Sequence, residues 1–266
     1  MRRSLIVAAL LVTSPLRAAE TLPPNRQLAP DPDLRNPGRT YQLCLNLAHN
    51  QPDKGIELAG KWVGLGGGEP AKHCQALSLV GLKEYGEGAT RLEQIAVQSQ
   101  QDSAVRASML AQAGQAWLMQ GEPTRAYAAQ SLALKIVPQG SKQHMEILID
   151  RAGTLADAGK YQDVIADVTA ALRIDPTNAT ALAYRAAAHR YLGDTDEALT
   201  DAESAVRSDP TNLGALLERG NLYRMKKRLA DARKDWLKIL EIDPDSGAAD
   251  SARINIEHMD VDPHAK

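Results

Sequence analysis

The most obvious absence in this 266-residue sequence is phenylalanine, which does not occur at all, and aromatic residues together make up only 4%. The core must therefore be built from Ala, Leu, Ile and Val, and side chains of this size suit closely packed helices. The sequence also lacks an excess of charge, since its formal net charge is −2. A nucleic-acid-binding domain would carry clustered Lys and Arg. These absences predict an all-α protein with no nucleic-acid partner.

Long apolar runs are absent except near the N-terminus, where two arginines precede an apolar run from Leu5 to about Leu16 and two alanines follow. The run is too short to span a bilayer, and the order of charged, apolar and small residues is typical of a cleaved secretory signal of the bacterial kind. We therefore expect residues 1–19 to be a signal peptide and the mature chain to be periplasmic; an uncleaved anchor is the alternative. Residues 20–38 hold five prolines and are predicted to be extended and flexible.

Cysteine is scarce, because Cys44 and Cys74 are the only two. In an exported chain an even number of cysteines predicts a disulfide, here a structural one. His49 and His73 lie close to the cysteines in sequence and suggest a metal site as an alternative, although the spacing fits none of the usual zinc patterns. Free thiols are the third alternative.

The clearest positive feature is a period of 34 residues, marked by Asp175-Pro176, Asp209-Pro210 and Asp243-Pro244. A fixed period of this size predicts a repeat architecture. Within each unit, apolar residues at i, i+4 and i+7 place a stripe on each of two short helices. A glycine suits the turn between the two helices, and Asp-Pro ends the second one, because the residue before proline is disfavoured in the α region.

The residues that define the repeat are small residues, turn glycines and terminal prolines at matching positions. They are Gly114, Ala126, Pro138, Gly159, Pro176, Gly193, Ala198, Pro210, Gly220, Ala232 and Pro244. This pattern resembles the tetratricopeptide repeat (TPR), which runs W-x-x-L-G-x-x-Y and then Ala, Phe and Pro. The resemblance implies a right-handed superhelical solenoid of stacked antiparallel helix pairs that binds other proteins.

The resemblance divides the chain into units. Four units are predicted at residues 107–140, 145–178, 179–212 and 213–246, with about four extra residues between the first two. Residues 39–106 are predicted to form two degenerate pairs, which makes about six pairs in all. Cys44 and Cys74 then fall in the first helices of adjacent pairs, where a bridge is geometrically reasonable. Residues 247–260 are predicted to form a capping helix, and residues 261–266 a disordered tail.

The resemblance also implies a concave groove, lined by the first helix of every pair, in which a protein or peptide partner binds. The residues predicted to line it are Gln115, Met119, Tyr184, Arg190, Tyr191, Asn221 and Arg224. Tyr and Arg are frequent anchors of interfaces, although packing within a solvated face is the alternative for the two tyrosines. The positions where some family members hold a carboxylate carry residues such as Ala111 and Leu217, so a carboxylate clamp is not predicted.

Motifs for catalysis, cofactors or metals do not stand out. The glycine-rich stretch at residues 64–68 lacks the Gly-Lys-Ser/Thr of a phosphate loop, and the six histidines form no His-Glu-x-x-His. The basic turn, Tyr223–Arg228, could meet anionic lipid, an acidic protein patch or glycan phosphate, although such turns are usually solvated. We therefore predict a cofactor-free adaptor or scaffold, not an enzyme, without membrane contact after signal cleavage. The alternatives are a self-associating, homo-oligomeric envelope protein and weak glycan or lipid binding near Arg228.

Overall fold

The structure is a computed structural model that describes Leu34 and residues 36–261. The predicted signal peptide, most of the proline-rich segment and the predicted tail beyond Val261 lie outside the described residues. Throughout the described part of the chain, the regular structure is helical and no strand occurs. No helix in this part combines the length and the apolar character needed to cross a membrane.

The N-terminal unit comprises the described residues up to Pro138. Its helices are α1 (Pro37–Asn50), α2 (Pro52–Gly64), α3 (Gly68–Gly81), α4 (Tyr85–Gln98), α5 (Ser103–Met119) and α6 (Pro123–Ile136). Each helix packs against the next, and α1 also packs against α3, so the unit is three stacked helix pairs. Because the Asn36 side chain caps α1, this helix begins at Pro37, inside the segment predicted to be extended. The third pair begins at Ser103, four residues before the predicted boundary.

The C-terminal unit runs from Gln139 to the end of the described residues. Its helices are α7 (Lys142–Asp157), α8 (Tyr161–Leu172), α9 (Ala179–Leu192), α10 (Thr195–Ser208), α11 (Leu213–Met225), α12 (Leu229–Ile242) and α13 (Gly247–Val261). The first helices α7, α9 and α11 also contact one another in order, and α13 packs on α11 and α12 at the position predicted for a cap. The prediction of an all-α repeat solenoid is confirmed, and the two units divide where the extra residues lengthen the connection.

The repeated Asp-Pro-Thr-Asn turn ends one helix pair and starts the next. The Asp175 carboxylate accepts hydrogen bonds from the Thr177 backbone N–H at 3.0 Å and from its hydroxyl at 2.8 Å. The Asn178 side chain accepts from the Ala181 N–H at 3.0 Å and so caps α9, satisfying a donor that the helix leaves free. The second copy of the motif, residues 209–212, makes the same three bonds before α11.

Left-handed residues close the turns between the two helices of a pair. Gly193 adopts φ +94°, and Lys227 adopts φ +60° at the same position of the next helix pair. Glycine takes this conformation without a steric penalty, whereas a residue with a Cβ loses about 1 kcal/mol. At Gly220 the requirement is close packing instead, because a Cβ there would lie 2.5 Å from the Trp236 Nε1 atom. Trp236 is fully buried, so the larger side chain occupies the space that the glycine leaves.

Ion pairs between the first and second helix hold each pair of the C-terminal unit together. They are Arg151–Asp167, Arg185–Asp201 and Arg219–Asp235, each joined by two hydrogen bonds of 2.6 to 2.8 Å. These ion pairs were not predicted from the sequence, although the arginines and the aspartates each recur every 34 residues. The matching positions in the third pair of the N-terminal unit are Ala113 and Ala129, both buried.

The N-terminal unit is crosslinked instead. Cys44 in α1 and Cys74 in α3 form a disulfide, with their Cα atoms 5.9 Å apart, and both residues are fully buried. The prediction of a bridge between the first helices of adjacent pairs is therefore confirmed, and the metal and free-thiol alternatives are wrong. The bridge lies in a small apolar cluster with Leu47, Leu58 and Ala59, so the covalent link and the hydrophobic core coincide.

Candidate protein-interaction surface

The residues predicted to line one groove belong to both compact units. Gln115, which is half-buried, and Met119, which is exposed, lie on α5 in the N-terminal unit. The other five lie on α9 and α11 in the C-terminal unit. The C-terminal unit therefore supplies the larger candidate surface, which consists of the side chains that its first helices leave accessible.

Tyr184 does not belong to the accessible surface, because only 7% of the residue is exposed. Its hydroxyl lies over Gly153 of the neighbouring first helix, 2.8 Å from the place where a Cβ would stand. Burial raises the pKa of Tyr184 strongly, and the charges of Asp150 and Asp157 raise it further. Tyr184 therefore packs between α7 and α9, in the space created by a glycine. As a direct contact for a partner, the prediction at this position is not supported.

Arg190 is held by Glu218 across α9 and α11. The guanidinium donates two hydrogen bonds to the carboxylate, at 2.7 and 3.1 Å, and the Glu218 side chain is almost completely buried. Burial alone would lower the pKa of Arg190, but the Glu218 carboxylate reverses the effect and the net pKa is raised. Arg190 is therefore held in an ion pair with Glu218, and it is a positioning residue rather than a free cation on the surface.

Tyr191 is the accessible aromatic residue that this arrangement positions. The Arg190 guanidinium lies 4.3 Å from the centre of the Tyr191 ring. The ring of Tyr161, at the start of α8, stacks on Tyr191 with a centroid distance of 4.4 Å and an angle of 3° between the planes. Tyr191 is nevertheless 47% exposed. Tyr161 was not among the predicted groove residues, because it lies on the second helix of its pair and only the fold brings it against Tyr191.

The first helices of the C-terminal unit pack in register, which places equivalent residues in one row. Asn221 of α11 accepts a hydrogen bond of 3.0 Å from Asn255 of α13, one period later in sequence. Residues at the position of Tyr191 in the neighbouring units are Asp157 on α7 and Met225 on α11, both exposed. The row at the C-terminal ends of α7, α9 and α11 therefore consists of the Asp157 carboxylate, the Tyr191 ring and the Met225 thioether.

Cations lie at the α11 end of this row. Arg224 precedes Met225 and is exposed, and Lys227 is exposed in the left-handed turn that follows α11. At the α7 end, partial desolvation of the carboxyl group raises the pKa of Asp157.

We call the surface formed by Asp157, Tyr161, Tyr191, Arg224, Met225 and Lys227 the Tyr191 surface. It has an apolar centre and opposite charges at its two ends.

The rest of the basic turn is engaged within the protein. Lys226 donates to Asp196 at 2.5 Å, and Arg228 donates to Asp231 at 2.8 Å while lying 4.0 Å from the centre of the Tyr223 ring. These contacts neutralise two of the cations that were considered for lipid or glycan phosphate. The alternative of lipid or glycan binding near Arg228 gains no support from this geometry.

A surface cavity of about 370 Å³ lies elsewhere in the same unit, between α8, α9 and α10. His189 and the Arg185–Asp201 ion pair form part of its wall. His189 occupies the repeat position that Tyr223 occupies in the next helix pair. Its imidazole lies 3.3 Å from the Asp194 carboxylate, a contact within the same helix pair. Across the described residues, no group of three or more His, Cys, Asp or Glu side chains could hold a metal ion.

The N-terminal unit holds a different polar arrangement on its first helices. His73 of α3 is buried, and its Nδ1 atom lies 2.5 Å from the Tyr41 hydroxyl of α1. Its Nε2 atom lies 2.7 Å from the Gln112 amide oxygen of α5. Because an amide oxygen only accepts, Nε2 carries the proton and the Tyr41 hydroxyl donates to Nδ1. This chain links three successive first helices through a neutral imidazole.

Comparison with known proteins agrees with this architecture. The sequence model described as tetratricopeptide repeat matches residues 185–247. A comparison with curated proteins finds no match.

Solved structures of similar fold include MamA, residues 41 to the end, from Desulfovibrio magneticus RS-1, at 18% identity and a TM-score of 0.55. The match covers 67% of this chain and 97% of that one. They also include TTC0263, a thermophilic TPR protein from Thermus thermophilus, at 19% identity and a TM-score of 0.54. Here the match covers 71% of this chain and 97% of that one. At these identities the likeness concerns the fold alone.

Proposed function

We propose that this chain, whose residues 185–247 match the tetratricopeptide repeat model, is a protein–protein interaction scaffold that binds an extended peptide segment of a partner on the Tyr191 surface. The observation that carries the proposal is an exposed tyrosine ring that stacks on Tyr161 and lies 4.3 Å from the Arg190 guanidinium, which Glu218 holds in place. Exposed aromatic residues with a fixed geometry are typical binding hot spots. A ring that is ordered before binding also loses little conformational freedom when the partner arrives.

The charged groups that support Tyr191 favour an adaptor over an enzyme. Arg190 and Glu218 are committed to each other by two hydrogen bonds, and Glu218 is buried. A general acid or base needs a proton that it can exchange with a substrate, and an ion pair held in this way serves poorly for that purpose. We therefore assign these residues to the positioning of a binding surface.

We place this activity outside the reducing cytoplasm, in the periplasm of a bacterium. The buried Cys44–Cys74 disulfide supports an oxidising compartment. Export would rely on the predicted signal peptide in residues 1–19, which lies outside the described residues.

The test is a selection of peptides from a random display library on purified mature protein and on two variants. Tyr191→Ala removes the exposed ring, and Tyr127→Ala, an exposed tyrosine on α6, is the matched control. We expect peptides that bind the unmodified protein and the control with equal affinity and lose about tenfold or more with Tyr191→Ala, the usual size of a hot-spot effect.

Peptides that bind all three proteins equally would contradict the proposal and would place binding elsewhere. Analytical ultracentrifugation of the same samples addresses the alternative of self-association. A concentration-dependent oligomer that Tyr191→Ala dissociates, together with no selected peptides, would favour that alternative.

A further inference from the structure

The Tyr191 surface differs in charge from one end to the other, and this difference carries an inference about the partner that rests on the proposed function. Asp157 lies at the α7 end. Arg224 and Lys227 lie at the α11 end. Both ends are exposed, so their charges are available to a ligand, although each is worth little alone because water and salt screen it.

The centre of the surface is electrically neutral. Arg190 would otherwise place a positive charge beside Tyr191, but Glu218 neutralises it at 2.7 Å. The centre therefore offers ring and thioether surface, from Tyr161, Tyr191 and Met225, to an apolar or aromatic side chain. Aromatic pairs and contacts between sulfur and rings both stabilise such an insertion.

The distance between successive first helices sets the interval between the peptide side chains that contact them. Packed helices lie about 8–10 Å apart, and an extended peptide advances about 3.3 Å per residue. A peptide that crosses α7, α9 and α11 therefore moves from one helix to the next about every three residues. Its side chains meet Asp157, then Tyr191, then Arg224 and Lys227.

We propose that the partner segment carries a basic side chain, an apolar or aromatic side chain and an acidic side chain at intervals of about three residues. The basic side chain lies against Asp157 and the acidic side chain against Arg224 and Lys227. The central side chain packs on Tyr191. A segment with two charges of the same sign fits only one end of the surface and is repelled at the other.

The test uses fluorescent peptides of about seven residues, with Tyr at the centre, Ser as spacer and charges at the ends. Two peptides have Lys at one end and Glu at the other, in opposite chain directions. Two controls have Lys at both ends or Glu at both ends, and a third replaces the central Tyr by Ala. Fluorescence anisotropy at low ionic strength measures the affinities.

We expect one of the two mixed-charge peptides to bind about three- to tenfold more tightly than both same-charge peptides, the gain that two exposed ion pairs provide. In the charge-reversed variant, Asp157→Lys with Arg224→Glu and Lys227→Glu, the preference should pass to the mixed-charge peptide of opposite direction. All three positions are exposed, so the fold should tolerate the changes, and circular dichroism checks this.

Two results would overturn the inference, and they differ from a failure of the proposed function. If all Tyr peptides bind the unmodified protein equally, and also bind the reversed variant equally, the proposed charge pattern of the partner is wrong, but peptide binding at Tyr191 stands. If the reversed variant keeps the original preference, the charges that select the peptide lie elsewhere. If no Tyr peptide binds better than the Ala peptide, peptide binding at Tyr191 fails as well.

Discussion

The two compact units build the same kind of helix pair but hold their helices together by different bonds. In the N-terminal unit a disulfide joins α1 to α3, the first helices of successive pairs. In the C-terminal unit an ion pair joins the first helix to the second within every pair, as in Arg185–Asp201. The matching positions of the third N-terminal pair are occupied by two buried alanines instead.

This difference shows how degenerate repeats remain folded. The C-terminal pairs follow the repeat closely, so each pair can contain the same internal bond and neighbours need only pack. The first two N-terminal pairs have lost much of that pattern, and a covalent bond between pairs, together with the Tyr41–His73–Gln112 chain, supplies the missing constraint. The two units should therefore respond to different perturbations, and three predictions use this.

Loss of the disulfide should have the largest effect. The bridge closes a loop of 30 residues, and the loop-entropy model assigns such a closure about 3–4 kcal/mol. In the Cys44→Ala, Cys74→Ala double variant, we expect amide hydrogen exchange to accelerate in α1–α4 and to remain unchanged in α9–α12. Equal acceleration in both units, or none in α1, would contradict the prediction. Reduction of the unmodified protein by dithiothreitol serves as the independent control.

Breaking one ion pair should have the next largest effect, in the other unit. Asp201→Ala leaves the Arg185 guanidinium without its carboxylate, and we expect a loss of about 2–3 kcal/mol, below the full cost for a buried pair because Arg185 remains partly exposed. The Arg185→Ala, Asp201→Ala double variant copies the alanine pair of the N-terminal unit.

Urea denaturation of Asp201→Ala, of the Arg185→Ala single variant and of the double variant completes a thermodynamic cycle. The double variant should lose clearly less stability than the two single losses added together. Strictly additive losses would show that the two side chains act independently and that the repeated pair does not stabilise the helix pair.

Mild acid should have the smallest effect, and buried His73 of the N-terminal unit should contribute to it. Burial lowers the pKa of His73 below its ordinary value of 6.5, outweighing the opposing influences of Gln112 and Glu69. The unfolded chain therefore binds this proton at a higher pH than the folded chain does. The stability that depends on neutral His73 is present above pH 6.5 and is lost as the pH falls below that value.

The measurement compares the urea stability of unmodified protein, His73→Gln and His49→Gln between about pH 8 and pH 5. His49 is exposed at the end of α1 and is the matched control. The His73→Gln variant should lose less stability over this range than the other two. Parallel curves for all three would contradict the assignment of the acid sensitivity to His73.

Much of the fold could be predicted from sequence because its determinants are local. The Asp-Pro ends, the glycine turns and the stripes of apolar residues act within a single helix pair. The repeated Arg–Asp pairs were also available, since both partners recur with the period of the repeat. They were missed because a charged residue on a helix is normally assigned to its solvated side.

The candidate surface was less predictable, because it depends on contacts between neighbouring pairs. Tyr184 is buried since Gly153, one pair earlier, leaves room for its hydroxyl. Tyr161 becomes part of the surface because its ring stacks on Tyr191, and Arg190 is neutralised by Glu218 of the following pair. A position in the repeat indicates which helix face a residue occupies, but the side chain across the interface decides whether it is accessible.

The Asp-Pro-Thr-Asn turn has a consequence for how a chain of this kind can change in length. Its aspartate lies at the end of the preceding helix pair, and its asparagine caps the first helix of the following pair. Each Arg–Asp ion pair joins two helices of the same helix pair. A duplication or deletion of one whole period of codons that starts at the turn would therefore leave every such bond intact. Recombination within the gene could lengthen or shorten the row of first helices in whole steps, so that only contacts between neighbouring pairs, such as Arg190–Glu218, would need to adjust.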